Sequence, residues 1–194
     1  MEIIQKKGSI KHTFTFMDDQ FNFAYVDKTG SGDTDLHYAD LPKKSSIQIE
    51  QKVWLRRVGY VWCGFGGLQL SSAILSGGSA SGRSFWLLMG LVCLVASHFS
   101  KVTYSVFRSQ GGNVFVMHDG NHDLIIEELT SRKKKQLLQW YGEINPQNDL
   151  KHEVDKFKWL AEQDVISGEE SNAKITQVEL LHKGNHAVQS GELN

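Results

Sequence analysis

Between Arg57 and Arg83 the chain runs 25 residues without a charged side chain, and after Arg83 only His98 interrupts an uncharged stretch reaching to Lys101. A helix that crosses lipid needs roughly 20 mostly apolar residues. The pattern predicts two transmembrane helices, residues 58–75 and 85–99, joined by the turn SGGSASGRS. The competing expectation is a buried helical hairpin in a soluble domain, because the first segment is broken by glycines and the second is short. The clean charge gap with basic borders favours the membrane.

Those borders set an orientation. Lys52, Arg56 and Arg57 precede the first helix, and Lys101 and Arg108 follow the second. Loops rich in Lys and Arg stay on the cytoplasmic side, so both flanks are expected there and the Gly/Ser turn with Arg83 faces out. Trp54, Tyr60, Trp62, Phe85 and Trp86 lie near the helix ends, at the depth that amphipathic rings prefer. Gly59, Gly64, Gly66, Gly67, Ser71 and Ser72 make the first helix rich in small residues, which let helices approach closely in lipid. Neither helix holds an acid, lysine or arginine to line an ion path, and His98 belongs to the interface.

Composition narrows the classes further. A net charge of -1 argues against a nucleic-acid partner, which needs a basic excess. Both cysteines, Cys63 and Cys93, fall inside the hairpin, so neither a disulfide scaffold nor a thiolate metal site is expected. The start MEIIQKKGSIKHTF has no apolar run behind a basic residue, and the N-terminus is expected in the cytoplasm.

The flanking segments read as strands and then a helix. HTFTFM (12–17) and FNFAYV (21–26) alternate on either side of the turn Asp18-Asp19-Gln20. A second turn cluster from Asp27 to Asp33 leads to DLHYADLP and SSIQIEQKVW, both short-strand patterns. KVTYSVF (101–107) and VFVMH (114–118) form a hairpin around Gln110-Gly111-Gly112-Asn113. From Asp119 the period becomes helical, with Leu124, Ile125, Leu129, Leu137, Leu138 and Tyr141, and Asp119 or Asn121 placed to cap a helix over about 121–141.

The segments FNFAYVDKTGSGDTDLHYADLP and TYSVFRSQGGNVFVMHDGNHDLIIEELTSRKKK resemble the bacterial pleckstrin-homology-like domains. That resemblance implies an α+β fold: a small antiparallel sheet closed by a C-terminal helix, here interrupted by the transmembrane hairpin. It implies binding and scaffolding rather than catalysis, with no cofactor. LKHEVDKFKWLAEQDVISGEESNAKITQVELL (150–181) resembles the short C-terminal (SHOCT) helical hairpin of bacterial proteins, with Phe157, Leu160, Val165, Ile166, Glu169, Glu170 and Lys174 on its pattern. Asp164 stands where that family has a turn glycine and Ser171 where it has an aromatic, so a weakened core is expected. Ser167-Gly168-Glu169-Glu170 independently reads as an N-cap with acids in the first turn. Two such helices bury little alone, so docking to a protein partner or self-association into a homo-oligomer is expected.

The expected organisation is thus N-terminal strands in 1–53, the hairpin in 54–100, strands and closing helix in 101–143, the helical hairpin in 147–182, and a disordered tail in 183–194. Two clusters carry candidate chemistry. Lys52, Arg56, Arg57 and the run Arg132-Lys133-Lys134-Lys135 are basic residues able to face acidic lipid, each contributing on the order of 1 kcal/mol near a membrane surface; the alternative is a solvated helix face. His118, Asp119, His122 and Asp123 are the one dense group of metal-capable side chains, the basis of a metal-dependent hydrolase reading. A closed site needs about four ligands, and Gly120 and Asn121 suit a helix cap instead. The expected function is a bacterial inner-membrane binding module with both termini cytoplasmic.

Overall fold

The computed structural model describes residues 1–77 and 85–191, so most of the Gly/Ser turn, Arg83 included, lies outside the described residues. The chain divides into two compact units, Met1–Ser45 with Val106–Asn194 and Ser46–Ser105. Fold class is mixed α+β, with two small antiparallel sheets and five helices among the described residues.

The first sheet has the order β1 (Glu2–Lys7), β2 (Ile10–Phe16), β3 (Gln20–Val26), β4 (Ser31–His37). The alternation of HTFTFM and FNFAYV sends Phe14, Phe16, Phe21 and Phe23 to one face. Register then places Phe14 opposite Phe23 and Phe16 opposite Phe21. Phe14 and Phe23 meet at 5.1 Å between centroids, and Tyr38, in the short 3-10 turn after β4, stacks on Phe21 at 5.3 Å. Aromatic pairs of this kind contribute beyond their buried area.

The second sheet has the order β5 (Ser46–Glu50), β6 (Val102–Ser109), β7 (Gly112–Met117), and the division between units falls inside β6. The expectation of one small sheet is therefore corrected to two. They meet through a core: Phe107, Val114 and Val116 join the phenylalanines, and helix α3 (His122–Tyr141) adds Ile125 and Leu129. Two inward polar side chains stitch β7 to the first sheet. The Gln5 amide donates to the Met117 carbonyl at 2.7 Å and accepts from the Met117 N–H at 2.8 Å, as another strand would. His12 Nδ1 bonds the Phe115 carbonyl at 2.8 Å.

A second core forms between α3, α4 (Leu150–Glu162) and α5 (Gly168–Gly191), with Leu137, Phe157, Leu160, Val165 and Val178 buried together. The helical hairpin is not weakly packed as its departures suggested. Asp164 takes the left-handed conformation (φ 56°) that usually selects glycine, and its carboxylate pairs with Lys43 at 2.7 Å. Ser171 is buried, and its hydroxyl donates to the Phe157 carbonyl at 3.0 Å. Glu153, fully buried, is held by Lys156 at 2.6 Å and by Asn148 at 2.7 Å. The Ser167 cap forms as expected, its hydroxyl accepting from the Glu170 N–H at 3.0 Å.

In the other unit, α1 (Val53–Leu75) begins five residues before the expected 58, taking Arg56 and Arg57 into the helix, while α2 (Phe85–Phe99) has the bounds expected. Three further differences stand. β1 was not anticipated, β4 starts at Ser31 inside the expected turn cluster, and α5 continues to Gly191 over much of the segment expected to be disordered.

Candidate functional site

The basic run on α3 is divided by the helix geometry. Arg132 and Lys133 turn into the protein, and Lys134 and Lys135 remain exposed. Arg132 pairs with Glu128 at 2.9 Å, donates to the Met17 carbonyl at 2.9 Å and lies 5.5 Å from the Phe16 ring centroid. It fastens α3 to the β2–β3 turn. Lys133 is only 8% exposed, and its ammonium donates to Gln163 Oε1 at 3.1 Å. Burial, and then the charge of Lys43, holds its pKa below the usual lysine range. Lys133 is thus buried rather than displayed on the helix surface.

The cause lies in helical periodicity. Ile125, Leu129 and Leu137 mark a stripe at steps of four, and Lys133 occupies the missing step between Leu129 and Leu137. Ile125 and Leu129 belong to the sheet core and Leu137 to the helical core, so Lys133 sits on α3 between them. It helps line a cavity of about 170 Å³, together with Lys43, Lys44, Thr130, Lys134 and Asp164 and the apolar Leu41, Phe107, Leu129 and Val165. The spacing was visible in the sequence as a lysine where the stripe calls for leucine; Lys43 and Lys44 gave no such signal.

Lys52, Arg56 and Arg57 are exposed at the start of α1. The helices they introduce reverse the usual burial. Gly59, Gly66 and Ala73, seven residues apart, are buried on α1, and Gly90 and Ser97 on α2. A Cβ on Gly59 would lie 2.8 Å from the Leu94 side chain, one on Gly90 would lie 2.6 Å from the Cys63 backbone nitrogen, and one on Gly66 would strike the Leu87 backbone. The two backbones approach closely along this seam, and large side chains such as Leu68, 72% exposed, and Phe99, 76%, face away. One described helix, α1, is long and apolar enough to cross a membrane; α2 has 15 residues. Cys63 and Cys93 are both free thiols, and His98 is exposed at the end of α2.

The His118–Asp123 group takes another shape than a metal centre. The two imidazoles lie 4.1 Å apart between centroids, tilted by 45°, and His122 Nδ1 lies 2.7 Å from Asp123 Oδ1. Asp119 is engaged in the turn, accepting from Gln5 Nε2 at 2.6 Å and from the Asn121 N–H at 2.9 Å. Among the described residues no three His, Cys, Asp or Glu side chains gather as metal ligands would. Compared with known protein families, curated proteins and solved structures, the chain matches none of them.

Proposed function

We propose that the chain is a binding module anchored in the bacterial inner membrane by both helices of its hairpin, with both termini in the cytoplasm. The observation that carries this reading is the inverted burial of α1 and α2. A core helix of a soluble protein hides its large apolar residues, yet only 17% of the apolar window of α1 is buried. Exposure of Leu68, Leu75, Phe85 and Phe99 around a glycine seam suits lipid as the surrounding solvent. Glycines cost a water-exposed helix about 1 kcal/mol each; in hydrocarbon every backbone hydrogen bond must be kept inside the helix, which offsets that cost. At 1.5 Å per residue α2 is about 22 Å long, short of a hydrocarbon core of ~30 Å. Local thinning and snorkelling flanks accommodate such a mismatch.

The sheet-bearing unit supplies the recognition surface. A four-stranded and a three-stranded sheet followed by a helix, α3, that enters the same core support the pleckstrin-homology-like reading. The burial of Phe157, Leu160, Val165 and Ile166 at the α4–α5 turn supports the SHOCT-like one. The work of such a module is to hold a protein partner or acidic lipid head groups at the membrane, without catalysis. Lys52, Arg56, Arg57, Lys134 and Lys135 are exposed basic residues available to acidic lipid.

Fractionation of bacteria expressing the chain, followed by an alkaline wash of the membranes and protease mapping of a tag at each end, tests the reading. Retention in the pellet with both tags cytoplasmic is the expected result. Release by the wash, or a tag on the outer side, overturns it.

A further inference from the structure

We propose that the cavity lined by Lys44, Lys133 and Lys134 is a binding site for a phosphomonoester group. An ammonium has three N–H donors and no acceptor, and burying one is costly unless it is paired with an anion. Lys133 is 8% exposed, and the partner it reaches is the neutral amide of Gln163 at 3.1 Å. No carboxylate lies within ion-pair distance of it among the described residues. A leucine or methionine would complete the α3 stripe at this position without that cost. The lysine instead puts a positive charge beside a cavity that three more lysines line.

Charge and size define the ligand. Four lysines and one acid, Asp164, line the cavity, and that acid is already paired with Lys43 at 2.7 Å. An anion entering therefore meets Lys44, Lys133 and Lys134 without displacing the existing ion pair. At about 170 Å³ the cavity is smaller than the pockets of roughly 300–1,000 Å³ that hold drug-sized ligands. It suits a compact, highly charged group with a short apolar neighbour, which would rest on Phe107, Leu129 and Val165. Lysine is a phosphate ligand that acts as a point charge, and the Thr130 hydroxyl adds a neutral donor to the wall. The group is presented either by a soluble phosphate compound or by a lipid such as phosphatidic acid. The site lies wholly in the sheet-bearing unit and does not rest on the membrane reading.

Two titrations of the full chain test the site. In one, the detergent-solubilised protein is titrated with inorganic phosphate and with glycerol 3-phosphate by calorimetry. In the other, thermal midpoints are compared in nanodiscs of neutral lipid with and without phosphatidic acid. Each is repeated with Lys133→Met, which keeps the side-chain length, and with the exposed pair Lys44→Ser and Lys134→Ser, which leaves the core untouched. The expected result is saturable binding in one arm at least, weakened roughly tenfold or more in both variants. A signal in the calorimetric arm assigns the site to soluble phosphates, and a shift in the nanodisc arm alone assigns it to a head group. No saturable response in either arm, or affinity unchanged in the surface pair, overturns the proposal.

Discussion

The two units of the chain solve the same packing problem in opposite senses. In the sheet-bearing unit Phe14, Phe21 and Phe23 fill the interior; in the hairpin unit Gly59, Gly66 and Gly90 are inside while Leu68, Leu75 and Phe99 are outside. In water, burial of apolar area drives packing at roughly 25 cal/mol per Å², so large side chains go inward. On the proposed membrane reading, lipid removes that drive around the hairpin, and close backbone approach across small residues takes over. Gln5 and His12 show the corollary. A polar side chain inside the sheet core is matched to a backbone partner on β7, because no solvent is there to satisfy it.

Truncation inside and outside should separate the units most strongly. Phe14→Ala removes a fully buried ring and is expected to destabilise the sheet unit by about 3–5 kcal/mol. Leu68→Ala, on a residue already exposed, is expected to leave the thermal midpoint in detergent nearly unchanged. Comparable losses from both variants would mean that Leu68 is buried in a contact of the kind Phe14 makes.

Next in size is a charge at the middle of α1. If lipid surrounds the helix, Phe65→Arg adds about 2.5–3.5 kcal/mol to insertion, visible as loss of protein from the alkaline-washed membrane pellet. If water surrounds it, the change falls on a half-exposed surface residue and lies within about 0.5 kcal/mol. An unaltered pellet fraction would refute the lipid-facing assignment of that face.

Smaller again is the effect of enlarging the seam. Gly66→Val drives a side chain into the Leu87 backbone and should cost about 1–3 kcal/mol. Gly64→Val is its control, since a Cβ there meets nothing within 4 Å. The pair is read by the thermal midpoint of the solubilised chain, and equal effects at both glycines would remove the seam from the account.

Much of this was readable before any coordinates. Period-two alternation found β2 and β3, and the uncharged run found both helices of the hairpin, because each depends on a local pattern. What escaped detection depends on distant partners. β1 holds Gln5 at an inward position that looks like a mispatterned surface strand until Met117, 112 residues away, supplies both hydrogen bonds. Asp164 and Ser171 appeared as defects of the helical hairpin. Lys43 and the Phe157 carbonyl convert them into contacts, and neither pairing follows from spacing. The basic run on α3 was identified as a cluster, but charge alone does not tell which lysine faces inward. The stripe of Ile125, Leu129 and Leu137 does, once Lys133 is counted as part of it.

The smallest expected effect concerns His12, a buried titratable group of the sheet-bearing unit whose pKa is lowered. Desolvation lowers that pKa below the ordinary 6.5, against the opposing hydrogen bond to Phe115 and the charges of Asp27 and Asp119. Above pH 6.5 the imidazole is neutral in folded and unfolded chains alike, so His12 adds no slope to stability there. As pH falls below 6.5 the unfolded chain takes up the proton first, and stability declines until the folded pKa is passed, by at most about 1.4 kcal/mol per pH unit. Below that point both states carry the proton and the loss is constant. Glu153 acts in a separate, more acidic window. Its burial raises its pKa, but Lys156, Asn148 and Asn145 outweigh that and leave it lowered, so its contribution is present above the ordinary carboxylate range and lost as pH falls through the depressed value. His12→Gln should therefore flatten the decline just below pH 6.5 and leave the steeper acid limb in place. A decline of equal slope in the variant would assign the proton uptake to another histidine, and the sheet core would then contain no group that responds to mild acid.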